Sequence, residues 1–272
     1  MLKNKIVEGI DETGAPDEKY YAFAWDDNIV SMPTKILLKD EEGDTVGMST
    51  EDFATYREEI GKEPFEFDGH KIVGFSDQPF FYFGVNGDKQ FIIDAMTAKP
   101  GPAWDDFVEA INNGSIFSIV TARGHTPSVI KEACYNYIIS NYNGIDSNEL
   151  VKNLEKYRDL NDEDSISKRE MIREYLDLCK FYPVSYGEGS ATNPEEGKIK
   201  ALKEFVGYVK EMSNYIQKKA FLKNKISNYF VPKIGFSDDD LKNVDVVKKH
   251  FEQDPENIIK TYSTAGGIKK EY

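Results

Sequence analysis

Cysteine is almost missing from this chain: of 272 residues, only Cys134 and Cys179 carry a thiol. Each lies in a helix-like stretch and neither has a metal-ligand spacing, so a disulfide framework is disfavoured and buried thiols in a reducing compartment are expected. Histidine is equally scarce, and His70, His125 and His250 are too scattered for a zinc motif such as H-E-x-x-H. Long apolar runs are lacking too. No stretch approaches the ~18 residues of a membrane span, and "MLKNKIVEGIDE" has no apolar segment of a secretory signal. Positive charge is in short supply: 34 Lys and Arg against 48 Asp and Glu leave a net charge of −14. Such a chain repels phosphate backbones and anionic lipid, which argues against general nucleic-acid binding and against a membrane surface as partner. The expectation that remains is a soluble protein of the cytoplasm.

What is present reads as a folded chain. A hydrophobic fraction of 40% with 13% aromatics lies in the globular range, and the length suits one large domain or a domain with an inserted module. "YYAFAWD" (Tyr20 to Asp26) and "SIFSIVT" (Ser115 to Thr121) are apolar at nearly every position, as strands covered on both faces are. Between them, "TKILLKD", "KIVGF", "FFYFGV" and "QFIIDAM" are short runs set apart by Gly, Asp and Pro, and "STEDFATYREEI" opens like a capped helix. In "GPAWDDFVEAINNG", Trp104, Phe107, Val108 and Ile111 share a helix face that stops at Asn113-Gly114. Thr126 and Pro127 start another helix, and Ser167 with Glu170 forms a capping box. Ile199, Leu202, Val206, Val209, Met212 and Ile216 trace a long helix, after which "NYFVPKIGFSDDDLKN" is a strand ending in acids. These elements predict an α/β fold with a mainly parallel sheet flanked by helices in three layers. Residues 1–31, 102–140 and 182–272 are read as its core, 32–101 as a β-rich, cap-like insertion and 141–181 as a helical insertion.

Three apolar segments end in hydrogen-bonding groups: Asp26, Asp27 and Asn28; Thr121, with Arg123 and Gly124 behind it; and Asp238, Asp239 and Asp240. In a parallel sheet such ends converge on the crevice at the carboxyl edge. Taken singly, the first cluster suits an Asx-type turn and the last a helix N-terminus. Taken in order, with a lysine-rich helix start at "EEGKIKALKEF", they suit phosphoryl transfer, which needs an oxygen-ligated Mg²⁺, a cation and hydroxyl donors around the phosphate.

This order resembles the haloacid-dehalogenase-like phosphohydrolase superfamily, whose motifs are D-x-D-x-[TVN], a Thr or Ser, a Lys and a final acid pair. "VTARGH" supplies Thr121, and "SDDDLKN" supplies Asp238, Asp239 and Asn243 in D-D-x-x-x-N spacing. The resemblance implies a Mg²⁺-dependent phosphatase-like scaffold with Asp26 as acid and backbone metal ligand and Asp238 or Asp239 as metal carboxylate. It places Thr121 and Lys198, or Lys200, on the phosphoryl oxygens, with Asn28, Arg123 and Gly124 near the substrate. With Asn28 last in the motif, however, the nucleophile position falls on Ala24. Sliding by one residue puts Trp25 there, and only a D-x-N register beginning at Asp26 keeps a nucleophile. A chain without one is expected to be inactive as a phosphatase, leaving either a scaffold that takes a phosphorylated small molecule or a pseudoenzyme that binds a protein partner. More loosely, "WDDNIVSMPTKI" and "NNGSIFSIVTARGH" resemble tailed-phage members of this superfamily, which would put the protein in host cytoplasm or virion.

Overall fold

The computed structural model describes residues 19–155, 166–187, 193–222, 231–254, 256 and 258–272. The first part of the expected core, residues 1–18, lies outside them, as do 156–165 of the helical insertion, 188–192 of the loop before the long helix and the side chain of Ile216.

In chain order, β1 (Lys19–Phe23) and β2 (Val30–Ser31) lead to β3 (Ile36–Asp40), β4 (Thr45–Met48), α1 (Thr50–Tyr56), β5 (Phe65–Phe67) and β6 (His70–Phe75). Helix α2 (Asp88–Thr97), β7 (Lys99–Pro100) and α3 (Trp104–Asn112) bring the chain to β8 (Phe117–Thr121). Then follow α4 (Pro127–Ile139), α5 (Ser147–Glu155), α6 (Lys168–Leu178), β9 (Lys180–Pro183) and α7 (Pro194–Leu222). The last elements are β10 (Lys233–Asp238), α8 (Leu241–Phe251), β11 (Ile259–Ser263) and β12 (Lys270–Glu271).

The fold is mixed α/β around a six-stranded sheet in the order β12-β11-β10-β1-β8-β9. All its pairings are parallel except β11 with β12. Strand β1 is central, which explains why its residues are apolar in succession: side chains alternate between faces and both faces are covered. Tyr20 and Ala22 join Phe205, Val209, Ile234 and Phe236 in one buried cluster. Phe23 joins Phe107, Phe117, Ile130 and Met171 in another. The register sets Phe23 beside Ser237 of β10 and Ile119 of β8, so the carboxyl ends of these three strands lie side by side.

Residues 36–75 fold as an antiparallel sheet, β4-β3-β6-β5, with its own apolar cluster of Ile36, Leu38, Val46, Met48, Ile60 and Ile72. Beyond it the sequence expectation and the structure differ. "FFYFGV" is not extended but folds into two single 3₁₀ turns, Phe81–Phe83 and Val85–Gly87. Gly87 permits this close turn, because a Cβ there would lie 2.5 Å from the Tyr82 carbonyl oxygen. "QFIIDAM" belongs to α2, whose Phe91 and Ala95, one turn apart, enter the cluster around Trp104 and Tyr137. A short apolar run fits strand or buried helix equally well until its packing partner is known. Helices α5 and α6, read as an insertion, bury Leu150, Met171 and Tyr175 in that same cluster.

Candidate functional site

A cavity of about 1170 Å³ opens at the carboxyl ends of β1, β8 and β10, between them and the small sheet. Its floor includes Ala24, Asp26, Thr121, Lys198, Asp238 and Asp239. The strand-end groups that the sequence scatters over more than two hundred positions thus share one space.

Ala24 follows β1 directly, is buried, and donates its backbone N–H to the Ser237 carbonyl at 2.9 Å. Asn28 is turned into the protein. Its amide donates to the Ala24 carbonyl and to Ser237 Oγ, both at 3.0 Å, and accepts from Thr264 Oγ1 at 2.8 Å. Its role is to fasten the loop after β1 to the neighbouring strand ends. Asp27 adopts a left-handed φ of 52°, which a short polar side chain tolerates. Its carboxylate accepts from Thr50 Oγ1 at 2.5 Å. Burial pushes Asp27 up to about 6, opposed by the Thr50 hydrogen bond and reinforced by Asp26.

Asp26 is held by a fork of the Arg123 guanidinium. Nε lies 2.9 and 3.1 Å from its two oxygens, and Nη2 is 2.7 Å from Oδ1. Arg123 is fully buried, its guanidinium 4.4 Å from the ring centre of Phe83 and 5.2 Å from that of Phe91. The remaining Nη1 lies 3.3 Å from His125 Nε2, and His125 Nδ1 is 2.9 Å from Asp88 Oδ1. Guanidinium only donates, so Nε2 is the acceptor and Nδ1–H donates to Asp88, which assigns a neutral imidazole. Burial lowers the His125 pKa, as does Arg123, while Asp88 opposes them.

Thr121 ends β8, and its hydroxyl accepts the Arg123 N–H at 3.3 Å. Gly124 crosses closely under the next loop: its N–H donates to the Phe83 carbonyl at 2.7 Å, and a Cβ would lie 2.9 Å from Ser185 O. Lys198, in the first turns of α7, reaches the cavity, whereas Lys200 is exposed. Its ammonium lies 2.6 Å from Asp238 Oδ2 in a buried pair. The other Asp238 oxygen accepts from the Asp240 N–H at 3.1 Å and from Asn243 Nδ2 at 3.2 Å. Asp239 is pushed up to about 8, first by burial and then by Asp238, with Lys198 opposing. Asp240 caps α8 and meets Arg57 at 3.2 Å.

Three acids in a row therefore do three jobs: ion pairing, crowding in the cavity, and capping. Sequence reasoning missed Asp88, Thr50 and Arg57. Each is an ordinary polar residue, Thr50 and Asp88 at a helix start and Arg57 at a helix end, and only tertiary contact brings it to the site. Comparison of the chain with protein-family models, with curated proteins and with solved structures gives no match.

Proposed function

We propose that this chain is a phosphohydrolase-like scaffold of the haloacid-dehalogenase type, three-layered and capped, that holds a phosphorylated ligand without hydrolysing it. Support comes from the central position of β1 in the parallel part of the sheet, from apolar clusters on its two faces and from the shared cavity. The observation that carries the reading is Ala24 at the strand end, on the cavity floor, where such a hydrolase needs its nucleophile. A methyl group cannot attack phosphorus. Nor is Asp26 placed to protonate a leaving oxygen, because it accepts three short N–H contacts from Arg123.

On the floor, the Thr121 hydroxyl and the Lys198 ammonium, which has protons beyond the one facing Asp238, can donate to phosphoryl oxygens. Among the described residues no group of three or more His, Cys, Asp or Glu forms a metal cage. Asp238 and Asp239 nevertheless suit Mg²⁺, which binds through one or two carboxylates plus substrate phosphate and keeps several waters. Burial first, and then the Asp238 carboxylate, raise the Asp239 pKa, and a hard cation bound there would offset the second of these. Bound there, Mg²⁺ would neutralise part of the phosphate charge. A non-enzymatic, partner-binding role, for instance in a phage particle, is the second reading, favoured by the exposed Phe75, Phe80, Phe81 and Tyr82.

The test is a calorimetric titration of inorganic phosphate in the presence of Mg²⁺. Binding without turnover of esters, weakened about tenfold or more in Thr121→Val and Lys198→Met, is the expected result. Absence of binding, or binding that neither variant changes, would overturn the reading.

A further inference from the structure

The cavity has two unlike halves. Against the ionic floor stands an apolar wall supplied by α1 and by the turns after β6, with Phe53, Pro79, Phe80, Phe81, Phe83 and Val85 facing the space. Phe53 and Phe80 meet edge to face, with ring centres 5.7 Å apart and planes at 79°. Phe80 stands edge-on to Phe83 at 6.1 Å and 86°, and Phe83 is backed by the Arg123 guanidinium. The wall is thus braced from within, while Phe80 remains 45% and Phe81 38% exposed.

About 1170 Å³ is space for a whole small molecule and far more than a phosphate group fills. With the phosphate on the floor, the remainder of the ligand lies against the rings. A wall of mutually perpendicular phenyl groups presents both ring faces and ring edges, and the aromatic quadrupole makes such a surface favour another planar ring over a flexible chain. A rigid ring also loses less conformational freedom on binding than an alkyl chain with the same number of carbons.

We infer that the ligand is a phosphate monoester of an aromatic alcohol, its phosphate beside Thr121 and Lys198 and its ring against Phe53 and Phe80. The inference rests on the phosphate reading of the floor given above.

The experiment titrates the full chain, with Mg²⁺, with phenyl phosphate, hexyl phosphate, inorganic phosphate and phenol. The two esters have the same number of carbons and differ in shape and aromaticity. Phenyl phosphate is expected to bind about fivefold tighter than hexyl phosphate. Phe80→Leu, a change at a partly exposed position that leaves the core intact, brings the two esters together while inorganic phosphate binds as before. Equal or tighter binding of hexyl phosphate, or a Phe80→Leu variant that keeps the preference, would overturn the inference and leave the phosphate floor standing. If phenol binds as tightly as phenyl phosphate and inorganic phosphate does not bind, the phosphate reading itself falls and takes this inference with it.

Discussion

Arg123 is the residue on which the site's electrostatics turn. It is buried with its guanidinium against two rings, and its charge is met by Asp26, with His125 and Asp88 behind it. Removing the partner charge in Asp26→Asn leaves a buried cation unpaired, and a loss of about 3 kcal/mol of stability is expected in urea denaturation. His125 gives a pH signature. Its folded pKa lies below 6.5, so the unfolded chain takes up the proton first and the His125 contribution to stability is lost as pH falls below 6.5. Asp27, raised to about 6, and Asp239, raised to about 8, act in the opposite sense, since the folded state holds their protons longer. The contribution is therefore read as a difference: between pH 7.5 and pH 5.5, roughly one unit either side of the ordinary histidine value, the parent loses stability relative to His125→Gln. Equal slopes would show that the imidazole is not held neutral. At this scale the sequence was legible in kind but not in role. Asp26, Asp27 and Asn28 stand together in the chain, yet one faces Arg123, one faces Thr50 and one fastens the loop. Those partners come from elements far apart in sequence, so no local pattern announces them.

Among the elements, those with a strong period were readable. Trp104, Phe107 and Ile111 are buried on α3, and Ser167 with Glu170 forms both halves of its capping box. Replacing Ser167 with Ala is expected to cost about 1 kcal/mol, measured by denaturation. The segment between β6 and α3 was not readable, because Gly87 allows a close turn where aromatic density suggests a strand. Gly124 was named for its nearness to Thr121. Its structural demand is a tight crossing between the loops after β8 and β9. Gly124→Ala must push the Ser185 backbone aside, and about 1–3 kcal/mol of destabilisation is expected by analogy with overpacked interiors. A smaller loss would mean that the two loops separate easily. Across the cavity, Arg57 at the end of α1 pairs with Asp240 at 3.2 Å, both partners being partly exposed. Such a pair contributes under about 1 kcal/mol, so Arg57→Gln should leave stability nearly unchanged.

For the whole molecule, apolar runs in the sequence announced buried strands but not their order. Strand β1 pairs with β8 and β10, neither its neighbour in sequence, and parallel pairing across long crossovers has no local signal. The acid-ended strands gave the better clue, since in an open parallel sheet their ends meet at one edge. There the cavity lining brings Ala24, Thr121, Lys198, Asp238 and Asp239 into one space. As proposed, this floor is a phosphoryl-transfer site whose nucleophile is missing and whose expected acid, Asp26, is tied to Arg123, and restoring the nucleophile is the direct test. Ala24→Asp and the parent are assayed with a generic phosphate ester and Mg²⁺, following phosphate release. The account predicts Mg²⁺-dependent release by the variant at least about a hundredfold above the parent, a small part of the orders of magnitude that a covalent nucleophile supplies. Silence in both proteins, from a variant that folds as the parent does, would contradict it.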